Sequence, residues 1–103
     1  VYPASADVLA RFRSGRAEDL LSALFLAQNF RSPWWIAPAM NSQMFAHPAV
    51  QENLRVLDQW GCRILPTEEG RMACGTYGSG KLLAPEAIRD EVKLWLKSRL
   101  ADA

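Results

Sequence analysis

The sequence is poor in metal-ligating side chains: it has one histidine, His47, and two cysteines, Cys62 and Cys74, in 103 residues. Two cysteines are too few for a disulfide framework or a four-ligand zinc site, so no metal is expected, and the default setting is reducing and cytoplasmic. A charge excess is also missing, since twelve Lys and Arg nearly cancel eleven Asp and Glu and both are spread along the chain. That leaves no patch for nucleic acid or an anionic membrane. No apolar run approaches the roughly twenty residues that span a bilayer, and the first residues lack a basic region followed by an apolar stretch. What is present, 50% hydrophobic and 22% charged residues, is the composition of a globular chain with one core.

Val1-Tyr2-Pro3 reads as the end of a strand, which implies sequence ahead of it. Ser5-Ala6-Asp7 then caps a short helix with Val8, Leu9 and Phe12 on one face and Gly15 as its stop. A second helix is predicted from about Ala17 to Gln28, with Glu18 and Asp19 in its first turn and Leu20, Leu21, Leu24 and Phe25 facing inward. Pro33 to Pro38 is continuously apolar, as suits a parallel strand covered on both faces. Pro48 opens a helix along which Val50, Leu54, Leu57 and Trp60 keep helical spacing, and Gly61 ends it. Cys62 to Pro66 reads as another short strand. Thr67 to Lys81 carries four glycines, too many for regular structure and enough for a flexible flap over about 67–83. The last helix starts near Pro85 and is expected to bury Ile88, Val92, Trp95, Leu96 and Leu100 on one stripe. This alternation predicts an α/β doubly wound parallel sheet, but about three strands are visible against the usual five or six. Residues 1–103 therefore read as the later, C-terminal part of one domain.

Open parallel sheets bind ligands at the carboxyl ends of their strands, where loops and helix N-termini converge. Three segments fall there: Pro3-Ala4-Ser5-Ala6-Asp7, Pro38 to Phe45, and Thr67 to Lys81. The first offers a hydroxyl and helix-opening amides that suit either a phosphate or an ordinary helix cap. In the second, Asn41 brings a donor and an acceptor beside Met40 and Met44, a combination that can orient a small polar ligand in an apolar pocket. His47, directly before Pro48, reads as a helix cap or surface residue rather than a base. The third puts the Cys74 thiol and the Lys81 ammonium on a glycine-rich loop that matches neither a dinucleotide fingerprint nor a P-loop.

Pro3-Ala4-Ser5-Ala6-Asp7, Ala17-Glu18-Asp19-Leu20-Leu21, Ala37-Pro38-Ala39-Met40-Asn41 with Met44, His47-Pro48-Ala49 with Asn53, and Ala73-Cys74-Gly75 with Gly78 and Gly80 follow one another in order. Together they resemble the flavin-containing cysteine decarboxylases, and most of all the branch serving coenzyme A synthesis. The resemblance implies a flavodoxin-like sheet binding FMN at a subunit interface, in trimers or dodecamers built from trimers, with a small thiol carboxylate as substrate. It implies that a hydride leaves the cysteine-derived side chain for oxidised flavin, that the thioaldehyde loses carbon dioxide, and that the enethiolate is then reduced. By the same resemblance, Pro3, Ala4, Ser5, Ala6, Asp7 and Met40 contact the flavin. Asn41 holds the substrate carboxylate, with Met44, Ala73 and Lys81 around the substrate, and Cys74 delivers a proton in the final reduction. Asp7 stands where asparagine is frequent in the family, Lys81 where arginine is usual, Leu82 where methionine is usual, and Ala84 where an acidic residue is usual. The family's catalytic histidine and first phosphate-binding loop belong to a segment ahead of Val1, and His47 matches a different motif. A second polypeptide or a further segment is expected to complete the domain. Two other readings of the resemblance are a non-catalytic flavoprotein-like regulatory module and a peptidyl-cysteine decarboxylase.

Overall fold

The computed structural model describes residues 1–71 and 77–101. Helix α1, Ala6–Ser14, starts where Val8 N–H donates to the Ser5 hydroxyl at 3.2 Å. It stops at Gly15, whose φ of 73° lets Arg16 N–H turn back to Arg11 O at 3.1 Å. Helix α2, Leu20–Ala27, is shorter than predicted. Asp19 is its cap rather than its first turn: its carboxylate accepts Ser22 N–H at 2.8 Å while the Ser22 hydroxyl accepts Asp19 N–H at 3.1 Å. Leu21 is half-buried and Phe25 buried, but Leu20 and Leu24, expected inside, are 76% and 52% exposed. The buried stripe passes through Leu21, Ser22 and Phe25 and turns these two leucines outward.

Strand β1, Trp35–Ile36, pairs in parallel with β2, Arg63–Ile64, in register Trp35 to Arg63 and Ile36 to Ile64. Val1–Ala4 lies on the other side of β1, where Ala4 bridges Pro38 in parallel, Ala4 N–H donates to Ala37 O and Ala37 N–H to Val1 O, both at 2.8 Å. Three parallel segments are thus present, as expected, with ladders narrower than the apolar runs. Helix α3, Ser42–Ala46, is one turn that the sequence pattern did not announce. Helix α4, Pro48–Gln59, matches expectation: His47 Nδ1 accepts Ala49 N–H at 3.0 Å, and Val50, Leu54, Val56 and Leu57 are buried. Trp60, expected on that stripe, caps the end and is partly exposed.

The described parts of the glycine-rich segment depart from one expectation, because they are regular strands, and the rest of the expected flap, 72–76, lies outside the described residues. Strands β3, Glu68–Arg71, and β4, Tyr77–Lys81, form an antiparallel hairpin pairing Glu68 with Lys81 and Gly70 with Gly78, with an irregularity between Glu68 and Gly70. Helix α5, Pro85–Ala101, closes the order.

Helices cover both faces of the parallel sheet. On one, Leu9, Phe12, Phe25, Ile36, Leu54 and Leu57 form the main core, with Phe12 and Phe25 stacked at 4.2 Å and Trp34 edge-on to both. On the other, Ala37, Leu65 and Leu83 meet Trp35 and the first turn of α5 through Ala87 and Ile88. Farther along α5, of the residues expected inside only Trp95 is half-buried, edge-on to Trp35, among the described residues. Leu96 is 47% and Leu100 74% exposed, because the described residues put no facing layer over that end of the helix. A groove of about 320 Å³ runs beside it, lined by Tyr2, Trp35, Ile88, Val92 and Trp95 among others. No helix of the described residues is long and apolar enough to cross a membrane.

Candidate functional site

The carboxyl ends of the first two parallel segments are tied directly together, since Ala39 N–H donates to Ala4 O at 3.0 Å. This places Ser5, at the mouth of α1, beside the loop that leads to Asn41. Ser5 does cap its helix, yet its hydroxyl acts there as acceptor and keeps its proton to donate to a ligand. Val8 N–H is taken by that hydroxyl, which leaves the amides of Ala6 and Asp7 as the first-turn donors for an anionic group. Ala4 is buried with its N–H and C=O both engaged across the sheet, Ala6 packs against the main core, and Pro3 and Asp7 are exposed. Asp7 pairs with Arg11 one turn along at 2.7 Å, and the same guanidinium holds Asp19 at 2.8 Å. Hydrogen bonds from Ser22 in the first place, then Arg11, hold the Asp19 carboxyl below its ordinary range.

Asn41 is the cap of α3: its Oδ1 accepts Met44 N–H at 2.8 Å and its backbone oxygen accepts Phe45 N–H at 2.9 Å. That bond assigns the oxygen of the amide to the helix and leaves the NH₂ as the face it offers a ligand. Met40 is half-buried against the main core, and Met44 is exposed one turn into α3. A negative group of modest size, such as a carboxylate, is the natural complement of an amide fixed this way.

The hairpin meets this loop at Gly80, whose carbonyl accepts Met40 N–H at 2.9 Å while its own N–H donates to Thr67 Oγ1 at 3.3 Å. All three candidate segments therefore converge: Ala4 to Ala39, and Met40 to Gly80. Lys81 is exposed on β4, and its side chain runs along Gly70 of β3. Ala73 and Cys74 lie outside the described residues. Sequence reasoning missed Thr67 and the roles of Gly78 and Gly80, which two glycines spaced to share one face of a strand could have signalled.

Several other features stand apart from this convergence. Cys62 is a core residue, its thiol pushed up to about 11 by burial first and by the nearby Asp58 carboxylate second. The groove beside α5 is lined by none of the candidate site residues. Among the described residues no group of three His, Cys, Asp or Glu could hold a metal.

A family model described as Flavoprotein matches residues 1–97. The coenzyme A biosynthesis bifunctional protein CoaBC of Bacillus subtilis is 46% identical over 88 residues, 85% of this chain and 21% of that protein. A PPC decarboxylase mutant complexed with pantothenoylaminoethenethiol matches with a TM-score of 0.90 at 32% identity, over 93% of this chain and 53% of the other. The FMN binding protein AtHal3 matches with a TM-score of 0.83 at 34% identity, over 93% of this chain and 52% of the other. The chain thus spans about half of each solved relative and about a fifth of the bifunctional one. With the family model running almost end to end and the α/β fold shared at these scores, the chain belongs to the Flavoprotein family, which includes the flavin-containing cysteine decarboxylases that its motifs resemble.

Proposed function

We propose that this chain is the later part of an FMN-dependent enzyme that oxidatively decarboxylates a cysteine-derived thiol acid, 4′-phosphopantothenoylcysteine to 4′-phosphopantetheine, in coenzyme A synthesis. The observation that carries this reading is the Ala39 to Ala4 hydrogen bond, which brings the Ser5 hydroxyl and the Asn41 amide to one end of one sheet. The residues fit a flavin nucleotide: a hydroxyl and helix-opening amides suit its anionic and polar parts, and the half-buried Met40 provides apolar surface. Pro3 to Asp7 and Met40 would hold it, and when bound it supplies a two-electron acceptor and donor.

The chain's own residues then divide the remaining work. Asn41 orients the substrate by donating to its carboxylate, with Met44, Ala73 and Lys81 around the rest of the molecule. Cys74 delivers the last proton, since a thiol with an ordinary pKa of about 8.5 is mostly protonated at neutral pH. The catalytic histidine and the remaining strands come from a segment or polypeptide beyond these residues. The assembly is a trimer, or a dodecamer built from trimers, with FMN between subunits, which sedimentation of the full-length protein would reveal.

A single turnover of the flavin-loaded full-length protein tests the reading, followed by flavin absorbance and product mass. The Cys74→Ser variant is expected to bleach the flavin, release carbon dioxide and stop at the enethiol. Formation of the saturated thiol at the normal rate would remove Cys74 from the mechanism, and failure of the unaltered protein to release carbon dioxide would refute the decarboxylase reading.

A further inference from the structure

The geometry points to Gly78 and Gly80 as positioning residues for Asn41: β4 lies against the loop at a distance only glycine allows, and so fixes the height at which the amide is presented. The inference rests on the proposed role of Asn41 toward a carboxylate. A Cβ placed on Gly80 would stand 2.6 Å from Met40 O, 3.1 Å from Phe45 Cβ and 3.4 Å from Asn41 O, and the backbone there has φ +103°. Both conditions exclude a side chain, since the left-handed region is costly for L residues and the obstructing oxygens belong to the main chain. At Gly78 a Cβ would fall 2.8 Å from Ser42 Cβ and 3.0 Å from Ser42 Oγ.

The atoms obstructing these two positions belong to residues 40, 41, 42 and 45, which enclose Asn41 on both sides. Met40 N–H is bonded to Gly80 O, and Asn41 O accepts Phe45 N–H. Displacing β4 by the width of a methyl group would therefore drag the Asn41 peptide and loosen the Met44 N–H bond that orients its amide. The third described glycine of the hairpin behaves differently. A Cβ on Gly70 would meet only the Lys81 side chain, nearest at Cδ, 3.3 Å, which can swing aside. One hairpin thus contains two positions that should matter and one that should not.

The test uses the flavin-loaded full-length protein, its flavin held reduced so that the acid binds without being oxidised, and two probes, 4′-phosphopantothenoylcysteine and 4′-phosphopantetheine, which differ by the carboxylate. Gly80→Ala should weaken binding of the acid by about tenfold or more, the scale of one lost hydrogen bond to a charged group, while leaving the decarboxylated probe unchanged. Hydrogen exchange at Met40 and Met44 N–H should quicken in the same variant. Gly70→Ala, whose methyl meets only the Lys81 chain, should leave exchange at Met40 and Met44 N–H and the ratio of affinities for the two probes as in the unaltered protein. Gly78→Ala should lose affinity for the acid and regain it when combined with Ser42→Gly, which removes the two obstructing atoms. Equal weakening toward both probes, or faster exchange with unchanged affinity for the acid, would overturn the positioning role. Should the unaltered protein bind neither probe, the decarboxylase reading fails while exchange at Met44 in Gly80→Ala still decides whether β4 holds the Asn41 cap.

Discussion

The two faces of the parallel sheet carry equally regular apolar patterns and are very differently covered. On the α1 and α4 face, Leu9 and Leu57 are fully buried and the Phe12, Phe25 and Trp34 rings lock together. On the α5 face, burial is limited to Ala37, Leu65 and Leu83, with the start of the helix packed beside them. The α4 stripe meets both α1 and the sheet, whereas beyond Trp95 the α5 stripe runs past the last surface the described residues provide. Periodicity declares which side of a helix is fit to be buried; only a facing layer buries it.

The largest effect that would separate the faces is Leu57→Ala, expected to cost about 2–5 kcal/mol in denaturant unfolding because the cavity has no room to collapse. A loss near zero would break the comparison. Trp95→Ala on the opposite face should cost less, about 0.5–1.5 kcal/mol beyond its area, from the edge-on contact with Trp35; the rings are 6.4 Å apart. A pH series addresses the covered face alone. The Asp19 carboxyl is held below its ordinary value of 3.8. The charged form is therefore the one the fold favours, and its contribution is complete above that value and fades as the pH falls below it. Asp19→Ala should flatten thermal stability across that acidic range relative to the unaltered protein, and identical profiles would remove the cap from the account. The smallest effect is expected for Leu100→Ala, within about 0.5 kcal/mol in this chain. A loss approaching that of Leu57→Ala in the full-length protein would show that the stripe is covered there.

Much of this was legible in the residues. The start of α4 was readable because His47-Pro48 is a cap followed by a proline whose missing N–H costs nothing, and its stripe because Val50, Leu54 and Leu57 repeat at the helical period. The end of α1 was readable because Gly15 is the residue that turns left-handed without strain. The hairpin was not, since glycines in a strand usually weaken it and only the close loop beneath Gly78 and Gly80 explains their presence. Helix α3 escaped because a single turn has no period to detect, although Asn41 three residues before Met44 N–H is its physical cause. The convergence of Ser5 with Asn41 depends on strand pairing between distant segments, and spacing along the chain carries no record of it.

The two ends of the Asn41 amide are not equally engaged. The oxygen belongs to the architecture, as the acceptor for Met44 N–H, and the nitrogen is left for the recognition proposed above. An aspartate at this position would keep the acceptor and reverse the electrical sign of everything else the side chain presents. At position 41, then, an aspartate would retain this turn and repel acids, and an alanine would release the turn itself.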